Sequence, residues 1–131
     1  MMLVLQTADV TTRIWLTDGT YSVSVPDLEW ESGRTLSEDL LGKLQEVLAA
    51  ERKTFHDLSG IIIFSGPGSF TSLRIGHAVA NTLAVSLKIP IIGTQGDDWI
   101  AEGLAQYKTT KVDQIAMPFY GAEAHTTKPK A

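Results

Sequence analysis

Apolar positions along the chain follow distinct rhythms, and each rhythm predicts an element. Segment 3–7 is a short continuous apolar run, suited to a strand covered on both faces. Segment 11–17 alternates, with Thr12, Ile14 and Leu16 on one side and Arg13 and Trp15 on the other. Asp18-Gly19 is a two-residue hairpin signal. Alternation resumes over 20–25, with Tyr21, Val23 and Val25 together, until Pro26 stops it for want of an N–H. These segments predict a three-stranded antiparallel meander. The polar stretch 27–34 predicts turns.

Helical spacing takes over at Thr35. Thr35 and Glu38 are spaced as a capping box, each able to satisfy the other's free N–H. Leu36, Leu40, Leu44, Val47 and Leu48 follow on one face, with Leu41 widening the stripe and Glu38, Asp39, Lys43, Glu46, Glu51 and Arg52 facing away. Gly60-Ile61-Ile62-Ile63-Phe64 is continuous and β-branched, as a central strand should be. The tight turn Ser65-Gly66-Pro67-Gly68 then leads into a long helix, capped by Ser69 or Thr71 and ended near Lys88 by Pro90. A strand over 89–93 and a helix from Asp97/Asp98 to Tyr107 complete the order β-β-β-α-β-α-β-α, with a last strand expected over 113–119 after it. That order predicts an α/β fold, a mixed sheet with helices on its faces. It reads as one domain over 1–120, with 121–131 a polar, frayed tail.

Composition narrows the function classes. The 131 residues are 44% hydrophobic and 20% charged, ordinary values for a globular domain. The absence of cysteine excludes a disulfide scaffold, a thiol nucleophile and a thiolate zinc site. Eleven Lys and Arg against 15 Asp and Glu give a net charge of −4, which argues against holding nucleic acid through a basic surface. No basic residue precedes the opening apolar run, which Gln6-Thr7 cuts short, so it does not read as a secretory signal. The longest apolar run elsewhere is far too short to cross a bilayer. A cytoplasmic protein without a membrane partner is the expectation.

Chemistry concentrates between Ser65 and Gly76. A strand, a glycine turn and a helix start leave backbone N–H groups at the positive end of a helix, where an anion can sit. Thr7, Gly66, Gly68 and Ser69 are the candidate phosphate-binding residues, and Arg74 could assist. No Lys-Ser/Thr pair follows the glycines, so this is no Walker loop, and the spacing is wrong for a dinucleotide fingerprint. The plainer reading is a sharp strand-to-helix connection. The helix that follows is apolar nearly all round: Gly76, Ala80 and Ala84 share one face, Phe70, Leu73, Leu83 and Leu87 flank it, and Ile75, Val79 and Val85 lie on another side. Either the first helix covers the small-residue face, or another polypeptide does. His56, His77 and His125 show no ligand spacing, and no metal site is expected. Asp18 is explained by its hairpin and Asp97 by capping.

Gly66-Pro67-Gly68-Ser69-Phe70-Thr71, continuing through Leu73-Arg74-Ile75-Gly76, resembles the signature of the TsaB (YeaZ) family, which takes part in making threonylcarbamoyl-adenosine in tRNA. The resemblance extends to the strand before the motif, the small-residue helix after it, and Ile89-Pro90-Ile91-Ile92-Gly93. It implies a ribonuclease-H-like lobe of the actin/Hsp70/sugar-kinase (ASKHA) superfamily, with a mixed sheet of five to six strands. It also implies an accessory protein that binds the catalytic subunit TsaD, with the ATPase TsaE joining indirectly and tRNA engaged only through the partner. The implied interface comprises Leu36, Leu40, Phe70, Leu73, Arg74, Gly76, His77, Ala80, Asn81 and Ala84.

Three departures qualify the resemblance. Ser72 stands where the family usually has glycine. Gln6-Thr7-Ala8 stands where Asp-Thr-Ser is usual, and a neutral Gln6 cannot help place a nucleotide's metal. Met117-Pro118-Phe119-Tyr120 resembles the start of a second lobe and goes no further. The expected function is therefore a non-catalytic scaffold in tRNA threonylcarbamoylation that docks a TsaD-type subunit or a second copy. No cofactor is expected, with weak ATP and magnesium binding only alongside a partner. The alternative is a nucleotide-binding or catalytic half-site with ATP at the glycine turn. A ribonuclease-H-like nuclease would need a carboxylate cluster, and Asp9 stands alone at the relevant strand end.

Overall fold

The computed structural model describes residues 1–20, 25–112 and 114–120. Five strands and three α-helices follow one another as β1 (Met2–Gln6), β2 (Thr11–Thr17), β3 (Leu28–Glu31), α1 (Leu36–Ala50), β4 (Gly60–Phe64), α2 (Phe70–Leu87), β5 (Ile91–Thr94) and α3 (Trp99–Tyr107). They form one sheet in the order β3-β2-β1-β4-β5. The meander half is antiparallel, with Leu3 opposite Leu16 and Thr12 opposite Trp30, and the other half is parallel, with Leu3 beside Ile61 and Ile61 beside Ile91.

The period-2 alternation of the central strands sorts their side chains into two cores. Leu3, Leu5, Ile61 and Ile63 point to the face covered by α1 and α2, where Leu36, Leu40, Leu44, Leu48, Ala80 and Ala84 meet them. Met2, Val4 and Ile62 point to the opposite face, closed by Trp15 and by Trp99 and Leu104 of α3. There Trp15 and Phe64 set their rings edge-on to Trp99 at centroid distances of 5.6 and 5.4 Å. Both faces being covered explains why β1 and β4 read as unbroken apolar runs.

Three expectations are corrected. The third strand of the meander lies at Leu28–Glu31, in the stretch read as turns. Leu28 and Trp30 are half-buried there and Glu29 and Glu31 exposed, the pattern of an edge strand with one dry face. Of the strand expected over 20–25, residues 21–24 lie outside the described residues, and Thr20 and Val25 are exposed and outside any strand. The capping box at Thr35 does not form. A 3₁₀ turn, Gly33–Thr35, runs into α1, so the Thr35 N–H already donates to the Ser32 carbonyl and leaves Glu38 nothing to cap. The Thr35 hydroxyl bonds Asp39 at 2.6 Å instead.

The last strand, expected over 113–119, is the third correction. Residues 114–120 join no ladder and run as a strap across the ends of β4 and α2; Asp113 and the tail 121–131 lie outside the described residues.

Candidate functional site

The β4–α2 turn is built by its own backbone bonds. Gly66 has φ +125°, a conformation open to glycine, and an added Cβ would lie 2.1 Å from the Phe119 carbonyl oxygen. The Ser69 N–H donates to the Ala8 carbonyl at 2.6 Å, and the Ser69 hydroxyl accepts the Ser72 N–H as the cap of α2. Thr7 is fully buried, and its hydroxyl donates to the Ser72 carbonyl at 3.0 Å. Thr7, Gly66, Gly68 and Ser69 do come together, as expected from sequence. Thr7 and Ser69, however, spend their donors on the Ser72 and Ala8 carbonyls, and the strap closes on the turn through the Phe119 N–H, which donates to the Ser65 carbonyl. A Gly66→Ala variant is therefore expected to lose more than about 2 kcal/mol, from backbone strain plus the clash with Phe119; a urea melt measures it.

The end of β1 carries a neutral Gln6, tied to an arginine that is itself paired with carboxylates. Arg13 donates to the Gln6 side-chain oxygen at 3.3 Å and to Glu29 at 3.1 Å, and lies 3.9 Å from Asp9. Gln6 itself brings no charge to hold a divalent cation, and the nearby Asp9 and Glu29 carboxylates are paired with Arg13. Among the described residues no three His, Cys, Asp or Glu side chains converge as a metal site.

The second candidate feature is α2. Its small-residue face turns inward. Gly76 sits so close to Thr7 that an added Cβ would lie 2.1 Å from the Thr7 Oγ1, and Ala80 and Ala84 are buried among the sheet's isoleucines and leucines. Most of the interface residues expected from sequence are thus internal: Leu36, Leu40, Leu73, Gly76, His77, Ala80 and Ala84 are all buried within the lobe. Small side chains permit close approach to whatever lies beneath, and here that is the sheet. Of the expected set, only Phe70 and Arg74 stand exposed, while Asn81 is half-buried and bonded to Ala116.

The face that is left open is the seam between the helices. Leu41 of α1 and Ala78, Val79, Thr82 and Leu83 of α2 line a hollow of about 240 Å³. Thr71, Arg74, Ile75 and Ala78 border a second, of about 310 Å³, on the same helix. Leu41 is 49% exposed, an uncommon position for a leucine with apolar neighbours on both sides. Ile75, Ala78, Val79 and Thr82 recur at i, i+3, i+4 and i+7, a second helical stripe that was present in the sequence beside the glycine-alanine one.

His77, on the opposite side of α2, is 2% exposed, with Nδ1 2.8 Å from the Leu73 carbonyl and Nε2 unpartnered. Burial lowers its pKa below the ordinary histidine value, and the Leu73 bond opposes this only partly. The ring is therefore neutral at pH 7, with Nδ1–H donating to Leu73. Because the folded pKa lies below the unfolded one, the unfolded chain takes up the proton first. The stabilisation is fully present above about pH 6.5 and falls as pH drops below it, by at most about 1.4 kcal/mol per pH unit. Urea midpoints measured between pH 7.5 and 5 are expected to fall, and a His77→Gln variant to lack that slope.

The family model described as "TsaD: tRNA N6-adenosine threonylcarbamoyltransferase" matches residues 30–117. Curated relatives named tRNA threonylcarbamoyladenosine biosynthesis protein TsaB are 42% identical over 53 residues in Buchnera aphidicola subsp. Acyrthosiphon pisum, covering 40% of this chain and 24% of that protein. The corresponding protein of Escherichia coli K12 is 31% identical over 70 residues, 53% of this chain and 30% of that one. That of Bacillus subtilis is 60% identical over 35 residues, 27% of this chain and 15% of that one. The solved structure of YeaZ from Pseudomonas aeruginosa superposes with a TM-score of 0.65 at 21% identity, over 82% of this chain and 48% of that one. The chain spans less than a third of the length of these curated relatives and about half that of the solved structure.

Proposed function

The chain belongs to the TsaD family of tRNA N6-adenosine threonylcarbamoyltransferases, and from that premise we propose that it is a non-catalytic docking subunit in the threonylcarbamoylation of tRNA adenosine. The α1–α2 seam seats a TsaD-type catalytic subunit, which supplies ATP, metal and chemistry, and a TsaE-type ATPase joins through that partner. tRNA is engaged by the assembly rather than by this acidic chain.

The observation that carries this reading is the incompletely covered apolar stripe on the α1–α2 seam, in which Leu41 and Ala78 are exposed and Ile75, Val79 and Leu83 are half-buried. Interfaces place such a stripe at their dry centre with polar groups at the rim, and Thr71, Thr82 and Arg74 stand at its border here. The non-catalytic part is supported by the chemistry of the strand end: Gln6 is neutral where a nucleotide's metal would need a carboxylate, and the Thr7 hydroxyl and Ser69 N–H are spent on the fold.

Titrating a TsaD-type subunit into the isolated chain by calorimetry, with light scattering of the mixture, tests the reading. A one-to-one complex is expected, with a negative heat-capacity change from apolar burial. A chain that stays monomeric at about 100 µM, alone and with that subunit, overturns it; self-association through the same seam would move the partner from TsaD to a second copy.

A further inference from the structure

The strap 114–120 is held at both ends by specific bonds. Asn81 presents its carboxamide to Ala116 as a neighbouring strand would: Nδ2–H donates to the Ala116 carbonyl and Oδ1 accepts the Ala116 N–H, each at 2.9 Å. Phe119 donates its N–H to the Ser65 carbonyl at 2.7 Å. Ala116 is buried, whereas Ile115, Met117 and Phe119 on alternate positions are exposed. A segment anchored this way is ordered without a packed core of its own.

The strap ends on the docking helix. Tyr120 stacks on Phe70 with ring centroids 4.5 Å apart. The Arg74 guanidinium lies 5.3 Å from the centroid of that same Phe70 ring, within cation–π reach. Arg74 in turn borders the open hollow with Thr71, Ile75 and Ala78, and among the described residues it has no carboxylate within ion-pair distance. Strap, Tyr120, Phe70 and Arg74 thus form one continuous contact path.

We propose that the strap is a clasp that pre-orders Arg74 for a partner carrying a carboxylate beside an apolar helix face. The inference rests on the docking role proposed above and adds to it the chemistry of the partner and the element that tunes its affinity. With the strap closed, Tyr120 backs Phe70 and Phe70 holds the guanidinium at the border of the second hollow, beside Thr71, Ile75 and Ala78. With it open, Arg74 samples its rotamers freely, and a partner must order it on binding. That ordering weakens docking by about two- to tenfold, the cost of immobilising one long side chain. Asn81 is a positioning residue in this scheme and touches no ligand.

The test compares the full chain with an Asn81→Ala variant, first without any partner. Exchange of the Ala116 and Phe119 amides is expected to rise at least tenfold in the variant while the β4 amides stay protected, and nitrogen relaxation of the Arg74 Nε is expected to show a loss of order. An Arg74 Nε equally ordered in both proteins, despite a released strap, overturns the proposal. So does a strap whose exchange is unchanged. If β4 protection is lost, the variant has unfolded, and a Tyr120→Ala variant interrogates the same path with both strap bonds intact. Docking to a TsaD-type subunit supplies the second reading. Asn81→Ala should weaken it about two- to tenfold in the native background and leave it unchanged once Arg74 is alanine. Equal weakening in both backgrounds overturns the coupling. A native chain that does not dock at all defeats the docking role, while the Arg74 order still decides the clasp.

Discussion

An Ala80→Glu variant is expected to leave the chain unfolded. Ala80 is fully buried, on the inner face of α2, among Leu3, Leu5, Ile61 and Ile63. A glutamate there either buries an unpaired charge or forces α2 off the sheet. Removing a carboxylate from water without a partner costs far more than a surface change, and values above about 4 kcal/mol arise from just this kind of site. The domain's whole stability is only about 5–15 kcal/mol. Circular dichroism at 25 °C and a urea titration are expected to show loss of the cooperative transition. A variant that melts like the native chain, with α2 intact, would place the small-residue face outside after all. Gly76→Val belongs to the same class, because its side chain would enter the space of Thr7 and break the Thr7–Ser72 bond.

An Ala78→Glu variant is expected to do the opposite. Ala78 lies two residues away in sequence, but the helical turn places it on the outer face, exposed and bordering both hollows. Glutamate is a good helix former, so stability should change by about 0.5 kcal/mol or less. Docking should weaken about 100-fold or more, because the carboxylate would have to be desolvated against Leu41, Val79 and Leu83 of the seam. Calorimetry with a TsaD-type subunit and light scattering of the isolated chain read the effect, and thermal melts confirm the fold. Docking at native affinity would remove the α1–α2 seam from the interface. The two substitutions together separate the two faces of one helix: one abolishes the fold, the other abolishes the contact.

Most elements were legible because burial on both faces leaves a rhythm that local sequence carries. β1 and β4 read as continuous apolar runs, β2 as alternation, and α1 as a clean stripe from Leu36 to Leu48. β3 was hidden because an edge strand needs only one dry face. Two apolar residues between two glutamates, just after Pro26-Asp27, look like a turn until β2 lies alongside. The strap was hidden for a different reason. One of its anchors is a side chain 35 residues away, and no local pattern announces that Asn81 will take the place of a strand.

The candidate site was half legible. The glycine motif and the family resemblance were present in the residues, and so was the excess of apolar surface on α2. Which stripe of that helix faced the sheet was not. Glycine and alanine at four-residue spacing permit close approach without saying to what, and both stripes are apolar enough to be buried. Periodicity and composition alone carry the α/β class, the central strands and helices, and the presence of a helix with more apolar surface than one core needs. Contacts across the fold settle that Gly76, Ala80 and Ala84 lie against the sheet, that Leu41 and Ala78 stand exposed, and that Ile75 and Val79 are left half-buried at the edge of the core. The choice is made by contact with β1 and β4, strands far from α2 in sequence or on its other side, whose packing a helix's own periodicity does not record.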